Sequence, residues 1–222
     1  MKTISIPVHN RPGSLARVLA SLQECPEWHE WKVVVSREPA TSSLTDAFAL
    51  ALASLPDLYL STNQKRLGCW DNTFRAASLA MSLAPTLNLY LEDDYLLSPD
   101  ALTLIAQWDA SGHDGVLCLR RPHAAQDASA PSLVSPLASG LFGCGFAWRA
   151  CSWPAIALQW HAPAPMWDIA MERLPLPQWR PLVNRSHGIG LIGTHSHGSS
   201  ADLNLFGPAY AGAPVTLFTF TP

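Results

Sequence analysis

The chain has 222 residues, 48% hydrophobic and 14% charged, a balance that suits one packed domain and excludes both a disordered chain and a multi-domain assembly. Its 14 Lys and Arg against 17 Asp and Glu leave a formal charge of −3, which argues against a broadly basic nucleic-acid coat while allowing a local basic cleft. No run approaches the roughly 20 apolar residues of a bilayer span and the apolar start is too short for a signal peptide, so a cytoplasmic protein without a membrane span is expected. The cysteines Cys25, Cys69, Cys118, Cys144 and Cys151 form no CxxC pair and no Cys/His finger spacing, so free thiols are expected rather than a disulfide framework or a zinc site.

In chain order, Ile4 to Val8 reads as a first strand, and Ser14 to Leu22 as a helix with Leu15, Val18, Leu19 and Leu22 on one face and Ser14 as its cap. Trp31 to Val35 is a second strand, Ser43 to Leu55 a helix, and Asp57 to Leu60 a short third strand. A helix from Asp71 to Leu83 follows, then a strand from Leu87 to Leu91 that runs directly into Glu92-Asp93-Asp94. Pro99 marks another helix start before Ala101 to Trp108, and Val116 to Leu119 is a fifth strand. This alternation predicts βα units and a parallel sheet, an α/β class.

After Arg121 the texture changes, because 12 of the 19 prolines lie from Pro122 onward. Residues 123–132 read as a surface excursion, Gly143 to Trp148 as a strand entered through a glycine turn, and Ile169 to Leu174 as a short helix. The expectation is one domain over residues 1–222, with a nucleotide-binding half over 1–121 and a loop-rich acceptor and catalytic half over 122–222 that folds over the sheet.

Three carboxylates in a row at the end of an apolar strand lie where open parallel sheets bind ligands, and their crowded charge invites a divalent cation. Oxygen-only ligands suit Mg²⁺ or Mn²⁺, which also bridge phosphate oxygens. The loop His9-Asn10-Arg11-Pro12-Gly13 after the first strand and the loop Leu67 to Asn72 after the third fall on the same edge, and Gly68 permits close backbone approach. A solvated acidic turn and two ordinary loops would look the same one at a time; their convergence favours a site.

With these stretches in hand, the chain resembles the inverting nucleotide-sugar glycosyltransferases of GT-A fold. It is most similar to the N-acetylglucosaminyltransferases that extend N-linked and O-mannosyl glycans, and more loosely to the bacterial family-2 transferases. The similarity is carried in order by NRPGSLARVLASL, LGCWDNTFRAA, LYLEDDYLLSPDAL, GLFGCGFAWRA, MWDIAMER and RPLVNRSHGIG. It implies a single GT-A, Rossmann-like domain that takes a nucleotide-sugar donor, UDP-linked by expectation, with Mn²⁺ or Mg²⁺ as cofactor. Asp94 would bind the metal, Glu92 and Asp93 the donor's sugar and ribose, and Arg11 and Glu38 the base. Pro7, His9, Asn10, Gly68, Asp71, Asn72 and Arg185 complete the implied donor site. Asp168 matches the catalytic carboxylate, although Ala170 stands where the family's Trp-Asp motif has a second aromatic.

Inversion at the anomeric carbon is a single displacement, needing a base for the acceptor hydroxyl and positive charge for the departing diphosphate. Asp168, flanked by Met166, Trp167 and Ile169, suits the base; an N-cap role for the same residue is compatible. His197, in His195-Ser196-His197, is a candidate phosphate or metal contact, and Arg180 and Arg185 candidate phosphate partners. Trp167 and Trp148 are candidate acceptor platforms, since sugars and bases stack on indole faces. The expected acceptor is a glycan; a hydroxylated base in DNA is the alternative, with Lys65, Arg66, Arg75, Arg120 and Arg121 as phosphate contacts. The competing classes are a nucleotidyltransferase, which would want a glycine-rich basic loop after the first strand, and a non-catalytic nucleotide-sugar-binding module.

Overall fold

The structure, a computed structural model, describes residues 1–119, 133–137, 145–181, 186–188 and 219–220, of which 133–137, 187–188 and 219–220 are described by their backbone. The first half alternates as its pattern predicts: β1 (Lys2–Val8), α1 (Pro12–Gln23), β2 (Trp31–Arg37), α2 (Ser42–Leu52), β3 (Leu58–Thr62), α3 (Cys69–Ser82) and β4 (Leu87–Tyr90). Then come β5 (Tyr95–Leu97), α4 (Ala101–Ala110), β6 (Val116–Cys118), β7 (Leu133–Leu137), β8 (Phe146–Arg149), α5 (Trp153–Trp160), α6 (Trp167–Met171), β9 (Gln178–Pro181), β10 (Ser186–Gly188) and β11 (Thr219–Phe220).

Among the described residues nine strands form one sheet in the order β11-β7-β9-β6-β8-β4-β1-β2-β3, and β10 pairs with β5 in a second, two-stranded sheet. β4, β1, β2 and β3 are mutually parallel, so the loops after all four open on one edge. β8 runs antiparallel between β4 and β6, and β9 lies parallel to β6. The fold is mixed α/β with a mostly parallel sheet, as expected. One expectation is corrected: the second half does not only fold over the sheet, because β7, β8, β9 and β11 extend it.

Both faces of the sheet are covered. Ile4, Ile6, Val8, Val33 and Val35 point one way, into a core completed by Leu15, Val18, Leu19 and Leu22 of α1, Phe48 of α2 and Leu102, Ile105 and Trp108 of α4. The other face carries an aromatic core in which Tyr90, Phe146 and Trp148 meet Trp160 of α5 and Trp167 of α6. Burial of such rings contributes on the order of 2–3 kcal/mol each.

Buried polar stitches fix the register. Thr3 Oγ1 donates to Asn88 Oδ1 at 2.8 Å and Asn88 Nδ2 donates to Ser5 Oγ at 3.1 Å, joining β1 to β4 where a one-residue slip would leave all three unsatisfied. That register pairs Ser5 with Tyr90 and so sets the residues after β4 beside those after β1.

Helix boundaries departed from expectation for local reasons. α1 begins at Pro12, whose fixed φ suits the first turn, so Arg11 is the cap residue and Ser14 is buried inside the helix. The sequence reading places no helix at α5, which lies in the proline-rich half; Pro154 occupies its opening turn, where its missing N–H costs nothing.

Among the described glycines the tightest is Gly115, with φ +99°, where an added Cβ would lie 2.0 Å from the Pro177 carbonyl oxygen. The same carbonyl accepts the Val116 N–H at 2.9 Å, seating β9 beside β6. Gly115→Ala is therefore expected to destabilise the fold by about 3 kcal/mol or more, read as a shift in the denaturant midpoint.

Candidate functional site

The site is built on the open edge of the parallel strands. Arg11, three residues beyond β1, spans two carboxylates of the triplet: Nη2 pairs with Asp93 Oδ1 and Nη1 with Asp94 Oδ2. Asp93 is only 2% exposed and also accepts the His9 N–H at 3.4 Å. Asp94 keeps its other oxygen, Oδ1, buried with no hydrogen-bond partner among the described residues. The Glu92 carboxyl, half-buried, makes no hydrogen bond among the described residues.

One guanidinium thus serves three carboxylates, and the titration of the group follows. Burial, followed by the charges of Asp94 and Asp93, drives the Glu92 carboxyl well above the usual range; Arg11 opposes this and Asp168 adds to it. Burial lifts Asp93 to about 6 against the pull of Arg11. Burial also raises Asp94, again opposed by Arg11. Burial works against charge on Arg11, but Asp93 and Asp94 more than offset it and raise the guanidinium. Burial and then Arg66 lower the nearby His9, keeping its imidazole neutral at pH 7.

The loop between β3 and α3 is held from below. Asn72, 4% exposed, accepts Ser36 Oγ at 2.8 Å and Asn63 Nδ2 at 2.9 Å, and donates to the Val8 carbonyl at 3.3 Å. Glu38 accepts the Leu67 and Gly68 amides and the Asn63 side chain. Gly68 takes φ 85° and ψ 171°, a conformation open essentially to glycine alone, and leads directly into α3.

Asp168 arrives from the second half on α6. It lies in the first turn, one residue inside the helix rather than at its cap, which is Met166. Its Oδ1 accepts the Ile169 N–H at 2.9 Å. The helix is anchored by Trp167, 4% exposed, stacked on Trp160 at 5.0 Å and 11° and edge-on to Tyr90 at 5.2 Å. Cys69, the first residue of α3, is a free thiol close to Trp167. Desolvation, together with the charges of Glu92 and Asp168, pushes that thiol up to about 11, so the triplet and Asp168 face a common neighbour.

The expected residues therefore divide. His9, Arg11, Asp93, Asp94, Glu92, Gly68 and Asp168 gather on one side of the sheet edge; Asn10 and Asp71 are exposed there. Pro7 is a buried residue of β1, and Asn72 and Glu38 have their polar atoms engaged by the protein itself. Trp148 is corrected: it is fully buried, tilted on Phe146 at 4.9 Å and stacked on Trp153 at 6.0 Å, so it presents no face to an acceptor. Trp167 is likewise a wall of the aromatic core, and the exposed apolar side chain beside Asp168 is Met166, 46% exposed. Arg180 is corrected too: it is fully buried and donates to Gln178 Oε1 at 3.2 Å, so it is not at the surface to meet phosphate. Arg185, His195, His197, Arg120, Arg121 and Cys144 lie outside the described residues.

Sequence reasoning missed Cys69, Ser36 and Asn63. A signal was present for Ser36, a polar residue directly after the apolar run Val33–Val35 of β2, whereas Asn63, one residue beyond β3, reads as an ordinary loop residue. Among the described residues no group of three or more His, Cys, Asp or Glu side chains is arranged as a metal site. The donor chemistry at Asp94 nevertheless fits a hard cation: a buried, unpartnered carboxylate oxygen lies in a cluster that one guanidinium leaves negative.

No family model and no curated protein sequence matches the chain. Among solved structures, it is similar to the 1–349 fragment of S. aureus TarS, at 14% identity with a TM-score of 0.59 over 81% of this chain and 57% of that one. The same fragment in complex with UDP-GlcNAc gives 14% and 0.58 over 81% and 55%. The mannosyltransferase PcManGT from Pyrobaculum calidifontis, in complex with GDP-Man and Mn²⁺, gives 21% and 0.50 over 67% and 44%. The chain thus spans a little over half the length of the TarS fragment, and at these identities the likeness establishes the fold.

The raised pKa of Asp93 has a stability consequence. Because the folded state binds this proton more tightly than the unfolded chain, the contribution is complete below pH 3.8 and is lost as pH rises through about 6. Between pH 4 and pH 7 the wild type should lose on the order of 2–3 kcal/mol relative to Asp93→Asn. Parallel melting curves for the two proteins across this range measure it, and parallel profiles would contradict the shift.

Proposed function

We propose that the chain is an inverting, metal-dependent glycosyltransferase that moves a sugar from a nucleotide-sugar donor, UDP-linked, to an acceptor hydroxyl. The observation that supports this reading best is that Arg11, beyond β1, pairs with Asp93 and Asp94, beyond β4, while Trp167, the residue before Asp168, packs edge-on at 5.2 Å against Tyr90, the last residue of β4. Support comes also from the fold shared with chains solved with UDP-GlcNAc or with GDP-Man and Mn²⁺.

The chemistry follows from which groups are engaged. Asp93 is buried and paired, so its part is to hold Arg11. Glu92 has no partner, and its surroundings favour the neutral acid, which can donate a hydrogen bond to a sugar hydroxyl or a phosphate oxygen. Among the described residues, the cation paired with these carboxylates is Arg11, whose charge is already shared between Asp93 and Asp94. Asp94 would hold a divalent cation there, whose Lewis acidity would stabilise the leaving diphosphate.

Asp168 is the base. Its Oδ1 is oriented by the Ile169 amide, and its other oxygen, without a hydrogen-bond partner among the described residues, takes the proton of the acceptor hydroxyl as that oxygen attacks the anomeric carbon. The electron pair of the breaking glycosidic bond leaves with the nucleoside diphosphate. Exposed Met166 is the apolar surface beside the attacking group. The acceptor is a glycan; duplex DNA with a hydroxylated base is the second arm of the test because Lys65 and Arg66 are exposed at the rim.

Purified protein should hydrolyse or transfer from a UDP-sugar with Mn²⁺. Asp168→Asn should lower kcat by about 10²–10⁴-fold with donor affinity kept, and Asp94→Asn should abolish the Mn²⁺ stimulation; full activity in Asp168→Asn would remove the assignment. A panel of oligosaccharides and hydroxymethylated duplexes then identifies the acceptor. Independently, nucleotide should slow alkylation of exposed Cys69 while leaving exposed Cys151 unchanged, as read by peptide mass mapping.

A further inference from the structure

Glu38 follows β2 directly and is 2% exposed. The Leu67 amide donates to both its oxygens at 3.0 Å, the Gly68 amide to Oε1 at 2.7 Å, and Asn63 Nδ2 to Oε2 at 3.2 Å. Its own N–H donates to the Val8 carbonyl at 2.9 Å, so the residue is tied to the end of β1 as well. A carboxylate offers about four acceptor sites, and three donors on a side chain with almost no exposed surface leave little for a ligand.

The geometry points to Glu38 as the positioning residue of the β3–α3 loop and not as a contact to the nucleotide base. The buried charge draws two successive amides inward. Gly68 can meet it because it adopts φ 85° and ψ 171°, and α3 starts at the next residue. The loop so held carries exposed Lys65 and Arg66, and the Arg66 charge acts on His9 across the edge. Glu38 therefore sets where the positive rim and the start of α3, with Cys69, stand relative to the acidic triplet. The Leu67 and Gly68 amides, being turned toward Glu38, are not free to cradle phosphate. This assignment rests on the donor-site reading only for its effect on nucleotide affinity; the effect on the loop stands without it.

Glu38→Gln places an amide NH₂ where donors converge, and Gly68→Ala opposes the loop conformation while leaving the Glu38 charge intact. Amide exchange of the full-length protein, followed by mass spectrometry over peptides spanning 63–70, should run at least about tenfold faster in both variants. UDP and GDP, titrated calorimetrically, should both weaken by about tenfold in both variants, with the UDP-to-GDP preference kept within about twofold. Unchanged exchange in Glu38→Gln would overturn the assignment, as would a change of more than about fivefold in base preference confined to that variant. Wild-type protein that binds neither nucleotide would remove the donor-site reading, and the exchange measurement would then decide the role of Glu38 by itself.

Discussion

The contact on which the architecture of the edge depends is the one between Arg11 and the carboxylates of Asp93 and Asp94. β4 is buried along its whole length and then delivers three acids in succession, a placement whose desolvation is costly unless opposite charge is at hand. The compensating guanidinium comes from another part of the chain. It reaches the acids because β1 and β4 are adjacent and parallel, because the Thr3–Asn88–Ser5 stitch holds their register, and because Pro12 opens α1 immediately after Arg11. Each of these features is ordinary by itself. Together they leave a negative cluster only partly neutralised, which is the electrostatic condition for binding something positive.

The two sides of the edge are stabilised by different physics. On the side of β2 and β3 the material is polar: Ser36, Glu38, Asn63 and Asn72 form a nearly closed set of buried hydrogen bonds under the Leu67–Gly68 turn. On the side of α5 and α6 it is aromatic, with Trp160, Trp167 and Tyr90 in close ring contact. A satisfied polar network and a packed aromatic wall are both rigid. The two sides are joined through α3, where Trp70 Nε1 donates to the Trp160 carbonyl at 2.9 Å and Phe74 packs on the Trp160 ring, so Cys69 and the carboxyls of Glu92 and Asp168 sit between connected scaffolds.

Much of the first half was legible because periodicity and edge location are properties of a local stretch. That the early strands are parallel and that the loops after β1, β3 and β4 open on one edge followed from alternation; that β1 lies between β4 and β2 did not. What sequence could not say is which direction a polar side chain turns. Glu38 and Asn72 are hydrophilic residues beside a candidate site, yet their atoms face inward, because buried amides of the neighbouring turn need acceptors. Trp148 and Trp167 misled in the opposite way, since an indole suited to stacking on sugar is equally suited to filling a core. In the second half, proline was read as an interruption, whereas Pro154 opens α5 and Pro177 lends its carbonyl to β6. Strand partners such as β8 between β4 and β6 are set by long-range packing that no local pattern encodes.

Sorting the edge by engagement narrows where chemistry can occur. Asp93, Asn72 and Glu38 are occupied by the protein, so they define positions without offering atoms. Among the buried and half-buried carboxylates of the edge, the atoms without a hydrogen-bond partner among the described residues are Asp94 Oδ1, the Glu92 carboxyl and one oxygen of Asp168. All three are acidic, and two of them lie on residues whose carboxyls burial raises. A folded protein that merely needed solubility would turn such groups to water, where they titrate normally. Holding Glu92 and Asp94 out of water, against their preference for ionisation, costs stability. A ligand that supplied positive charge and hydrogen-bond partners there would offset that cost.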